Sequence, residues 1–174
     1  MSETLTKQQP KPTSGAAAVR SKGGHWSVKK AGAGVVGYCV HGPAGKILAS
    51  AFTPSRLIEA LRVGLPVQEL MDLQASLKVP MEKLVPRLGI SKATLHRRKA
   101  TGRLDPAESD RVVRFARLMG KAVEVLESDD NARQWLTSPQ FGLGGAVPLD
   151  YADTEVGARE VEDLLGRIEY GVYS

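Results

Sequence analysis

Residues 79–103 read VPMEKLVPRLGISKATLHRRKATGR, and this stretch decides the fold. An amphipathic segment (Met81, Leu84, Val85, Leu88) runs into Gly89, Ile90 and Ser91. Ser91 is a strong N-cap residue, because its hydroxyl can take up an orphan amide of a following helix. That second helix is short and basic, with Lys92, His96, Arg97, Arg98 and Lys99. Gly89 sits where a tight turn between two helices needs a residue tolerant of positive φ. Leu84, Leu88, Ile90 and Leu95 supply an apolar seam between the pair. The spacing therefore predicts a helix-turn-helix, whose second helix lies in the major groove of DNA.

Two residues depart from the simplest form of the motif. Pro86 falls inside the first helix, where it removes a backbone hydrogen bond. Val85 occupies a position where a small residue lets the helices approach closely. Glycine-linked helix pairs also occur in many all-α domains, and a basic helix is often only a solvated face. Here turn, cap and charge coincide, which favours DNA binding. Lys92, His96 and Arg97 are expected to face the groove, with Ala93 and Ala100 allowing close approach. Ser91, Thr94, Arg98, Lys99 and Arg103 complete the DNA-binding set, mainly as phosphate contacts.

Outward from the motif, charge is unevenly spread. The 174-residue chain carries a net +5, divided as +6 over residues 1–46, +6 over 47–120 and −7 over 121–174. A basic front suits nucleic acid, and an acidic back repels phosphate and suits a protein partner. Cys39 is the single cysteine, which excludes an internal disulfide and reads as a buried structural thiol. No apolar run approaches the ~18 residues of a membrane span. The first residues, MSETLTKQQPKPTSG, lack the apolar core of a signal peptide. A cytoplasmic protein without membrane contact is expected.

Residues 1–24 are polar and rich in Pro, Ser and Gly, and are expected to be disordered; Lys7, Lys11, Arg20 and Lys22 could add weak, salt-sensitive DNA contacts. Residues 25–52 are ambiguous. Val35, Val36, Tyr38 and Val40, then HGPAG at 41–45 and Lys46-Ile47-Leu48, predict a short β-hairpin. His25 and His41 lack a carboxylate cluster for a metal, and GAGV at 32–35 is too short for a phosphate-binding loop.

From Thr53 the pattern is helical. Thr53-Pro54 starts one helix ending at Gly64, Pro66 a second, and Pro80 the first helix of the motif. Asp105-Pro106-Ala107-Glu108 is a capping box for the longest helix, reaching about Glu127. Its length and apolar content make it the expected strut between two halves and the expected self-contact of a dimer. A short helix follows at 129–136 with Trp135 as anchor, then a glycine-rich loop at 141–145. A last helix starts at Asp153 or Thr154 and stops at Gly171. The fold class is all-α, in three parts: a flexible basic segment at 1–52, a helix-turn-helix domain at 53–120 and a small α-helical domain at 121–174.

LGISKATLHRRKATGRLDPAESDRVVRFARL, followed by ARQWLTSPQFGLGGAVPLDYADTEVGAREVEDLLGRIEYG, resembles an Xre-type antitoxin of the kind paired with RES-domain toxins, a group related to ParS-type antitoxins. The resemblance covers about residues 53–171. Its second block is the more specific, through Trp135-Leu136, Gly144-Gly145, Pro148-Leu149-Asp150, Thr154 and Gly157. It implies a phage-repressor-like N-terminal half and a toxin-binding C-terminal half. It further implies a toxin that degrades NAD⁺, neutralised by the antitoxin's C-terminal end at its active site, and an operator bound by the complex. On that footing Trp135, Glu162, Leu165, Glu169, Tyr170, Val172, Tyr173 and Ser174 are the expected toxin contacts, with the tail either a plug or a frayed end.

No nucleophile has a base and an orienting group beside it, since His25, His41 and His96 are scattered; no enzyme activity and no cofactor are expected. The competing reading is a stand-alone repressor whose C-terminal domain only dimerises. Either way, two copies of the motif are expected on DNA, supplied by a homo-oligomer or by a hetero-oligomer with toxin.

Overall fold

The computed structural model describes residues 34–41 and 54–172, where the regular structure is helical and no strand occurs among the described residues. The hub is α6, Pro106–Leu126. Asp105 accepts from the Glu108 amide while the Glu108 carboxylate accepts from the Asp105 amide, so the expected capping box is formed. Val112, Phe115, Ala116, Leu118, Met119 and Ala122 of this helix are all fully buried. Each large apolar side chain so buried contributes about 1.5–3 kcal/mol. These residues tie α6 into the core, as expected of a strut, while Val123 and Val125 near its end are only half-buried.

The segment expected to open a β-hairpin is instead a helix, α1, Val35–His41. Its amides at Val35 and Val36 donate to the two carboxylate oxygens of Glu69, at 3.0 and 2.9 Å. Val35, Val36 and Val40 are buried, and α1 packs on α6 and on α3, Val67–Leu77. A cap delivered from 34 residues away leaves no local trace, which is why the β-branched run reads as strand. The approach to α6 is close: a Cβ on Gly120 would lie 2.0 Å from the Cys39 carbonyl oxygen. Burial pushes the Cys39 thiol up to about 11, with Arg117 opposing and Glu69 reinforcing the shift, so it stays protonated at neutral pH. The return arm of the hairpin, the proposed tail contacts at Lys7, Lys11, Arg20 and Lys22, and His25 lie outside the described residues.

The other long helices follow the sequence closely, while a 3₁₀ turn and a short helix in the C-terminal third are not expected from it. α2 spans Pro54–Val63, α4 Met81–Arg87 and α5 Lys92–Thr101. α7 spans Asp129–Thr137, α8 Pro148–Tyr151 and α9 Glu155–Glu169, with a 3₁₀ turn at Phe141–Leu143 between α7 and α8. α6 packs against α1, α2 and α3 of the first half and against α7 and α9 of the second. Both halves thus share one apolar core. No described helix is long and apolar enough to cross a membrane.

Candidate functional site

α4 and α5 form the helix-turn-helix. The Ile90 amide donates to the Val85 carbonyl (3.0 Å) and the Gly89 amide to that of Pro86 (2.9 Å), with Gly89 at φ +64°. This paired closure ends α4 and turns the chain through Ile90 into α5. Ser91 then caps α5, its hydroxyl accepting from the Thr94 amide at 3.1 Å. Pro86 is exposed and Val85 buried. Both line an open groove of about 530 Å³ between the two helices, with Met81, Ile90 and Leu95. The proline is thus carried on the solvent side of α4 and the valine on its packed side.

α5 itself contains no buried residue. Ser91, Lys92, Ala93, His96, Arg97, Lys99 and Ala100 are exposed, and Thr94 is half-buried. Two basic residues assigned to phosphate have other work. Arg98 is tied by its Nε to Glu108 and by a terminal nitrogen to Asp105, both at 2.7 Å. The Glu108 hydrogen bond raises the Arg98 pKa against a smaller burial effect. On the Asp105 carboxyl, burial pushes the pKa up, but the Glu108 amide and Arg98 outweigh it and hold the carboxyl below its ordinary value. Arg103 donates to the Gly64 carbonyl at 2.8 Å. Arg98 is thus the tie between α5 and the start of α6, because α5 lacks a buried anchor of its own. Arg103 braces the connection before α3.

The C-terminal half meets the helix-turn-helix half through a fringe of charges. Glu155, Glu162 and Glu169 stand seven residues apart on α9 and pair with Arg114 (3.2 Å), Arg117 (3.1 Å) and Lys121 (2.8 Å) of α6. Arg87 of α4 pairs with Asp150 of α8, and Arg133 of α7 donates to the Ser76 carbonyl at 2.7 Å. Glu162 and Glu169, expected to meet a toxin, are therefore engaged in holding α9 on α6. Leu165 is fully buried, so it is a core residue and not a contact. Trp135 is half-buried against the core. Tyr170 is 80% and Val172 54% exposed. Tyr173 and Ser174 lie outside the described residues.

The sequence reading missed Phe141. It stands 96% exposed beside a cleft of about 620 Å³ lined also by Leu164, Arg167, Ile168 and Val172. The available signal was an aromatic residue among glycines, which reads as a loop. Among the described residues no His, Cys, Asp and Glu group could hold a metal.

With this geometry in view, comparisons with known proteins agree across both halves. Residues 56–117 match the Antitoxin Xre-like helix-turn-helix domain, and residues 121–171 match the Antitoxin Xre/MbcA/ParS C-terminal toxin-binding domain. The chain is 36% identical to an Antitoxin Xre of Yersinia enterocolitica over 120 residues, which cover 68% of this chain and 81% of that protein. It is 37% identical to an Antitoxin Xre of Photorhabdus laumondii over 116 residues, 66% and 78% of the two chains. A Prs ADP-ribosylating antitoxin of a Sphingobium species is 27% identical over 132 residues, 70% and 83% of the two. Both matched domains are binding domains. The chain belongs to the Xre/MbcA/ParS antitoxin family, with an Xre-like helix-turn-helix followed by that family's toxin-binding domain.

Proposed function

We propose that this antitoxin neutralises a RES-domain toxin that consumes NAD⁺, and that it binds operator DNA to repress its own operon. The observation that carries the reading is the junction at α6, which joins an exposed basic recognition helix to a matched toxin-binding domain. We take residues 53–120 as the DNA-binding unit and 121–174 as the toxin-binding unit, with α6 common to both. The assignment of a RES-type toxin rests on the resemblance in the second sequence block. The name of the Sphingobium relative points to ADP-ribosylation, and ADP-ribosyl transfer also draws on NAD⁺. Both lines favour a toxin with a dinucleotide site.

On the DNA side, Lys92, His96 and Arg97 read bases while Thr94 and Lys99 hold phosphates, from two copies of the motif on paired half-sites. On the toxin side, the C-terminal region covers the active site. Co-expression with the RES-domain toxin encoded in the same operon tests the whole reading: the full chain should restore NAD⁺ and growth. Deleting residues 170–174 should preserve DNA binding and leave the toxin still associated, though less tightly, but abolish protection. Full protection by the truncated chain would make the tail idle. A chain that represses the operon yet never binds the toxin would instead be a stand-alone repressor.

A further inference from the structure

We infer that toxin is gripped through an apolar anchor, Phe141, and the cleft beside it, rather than through the acids of α9. This rests on the reading that the C-terminal domain binds a toxin, and assigns the surface that does so. Phe141 is 96% exposed, an arrangement that leaves nearly the whole ring in water unless a partner covers it. It flanks a cleft of about 620 Å³ walled by Leu164, Ile168 and Val172, with Arg167 at its edge. The 3₁₀ turn lies against α9, where a Cβ on Gly142 would fall 2.6 Å from Leu164 Cδ1, so the cleft wall brings the turn and the Leu164 side chain together.

Two further observations name the occupant. The patch lies wholly within the matched toxin-binding domain, at residues 121–171, apart from Val172, which adjoins it. The α9 acids that face inward, Glu155, Glu162 and Glu169, are already paired with α6. Arg167, by contrast, forms no ion pair among the described residues. An exposed aromatic ring, an apolar cleft and a guanidinium with no ion pair among the described residues form a buried-anchor interface with one charge at its rim. They fit a toxin segment that places an apolar side chain in the cleft and a carboxylate against Arg167.

The test measures affinity of the full-length antitoxin for the RES-domain toxin of the same operon, beside its solution mass without toxin. Phe141→Ser should weaken binding by more than about tenfold, the scale of an interface anchor, and Arg167→Gln should weaken it less. Glu162→Gln should leave it unchanged. DNA binding by each variant reports that the fold is intact. Wild-type binding undiminished by Phe141→Ser overturns the assigned surface alone, and so does a Phe141→Ser variant that merely dissolves a homodimer. A wild-type chain that does not bind the toxin overturns the surface and the proposed function together.

Discussion

The two helices to which we assign the binding surfaces are held in opposite ways. α5 buries no residue and is placed by half-buried Leu95 and the Arg98 ties to Asp105 and Glu108. α9 buries Gly157, Ala158, Val161 and Leu165 and adds three ion pairs to α6. A helix that must enter a groove keeps its perimeter free, so its position hangs on a few polar ties. A helix that completes a small domain's core offers a partner only the strip left over. Substitutions in α5 should therefore separate binding from stability, whereas many in α9 should not.

The largest expected effect breaks the core side of that contrast. Leu165→Ala should destabilise the protein by about 2–5 kcal/mol through the cavity it leaves, measured by chemical denaturation. A loss within about 0.5 kcal/mol, the range of an ordinary surface change, would show that α9 is not a core element. Next comes the α5 side. Arg97→Ala should remove about 1–3 kcal/mol of discrimination between operator and unrelated DNA with an unchanged denaturation midpoint. Lys99→Ala should instead weaken all sequences alike and lower the salt slope by about one. Gel-shift titrations across salt concentrations distinguish the two; equal behaviour of the variants would undo the division between base and phosphate contacts.

The tie between α5 and α6 sharpens the comparison further. Asp105→Ala removes the cap and one Arg98 partner, and should cost about 0.5–2 kcal/mol while lowering DNA affinity. The Asp105 carboxyl is held below its ordinary value of 3.8. Its contribution is therefore complete above that pH and is lost as pH falls through the lower folded value. An acid titration should show this step in the wild type and lack it in Asp105→Asn; identical curves would remove Asp105 from the tie. The smallest effect is expected at the ladder of ion pairs that Glu155, Glu162 and Glu169 make with α6. Glu162→Gln with Glu169→Gln should cost no more than about 1 kcal/mol per pair, since the pairs are partly solvated. A collapse of the fold in that double variant would mean the ladder, not the apolar core, seats α9.

Much of this protein follows from local sequence alone. Capping signals at Ser91, Asp105 and Thr154, and the glycines at 64, 89, 102 and 171, define helix ends through interactions spanning three or four residues. The same short range made the helix-turn-helix and the all-α class legible. Tertiary structure alone decided what those elements do with their charged and apolar side chains. Glu69 capping α1, Arg98 turning to Asp105 and Glu108, and the α9 acids meeting α6 all join residues of separate helices. Charge counted along the chain says how many acids the C-terminal third holds, not which are neutralised at home. Burial works the same way: Leu165 and Phe141 are both large apolar residues, and only packing hides the first and leaves the second in water.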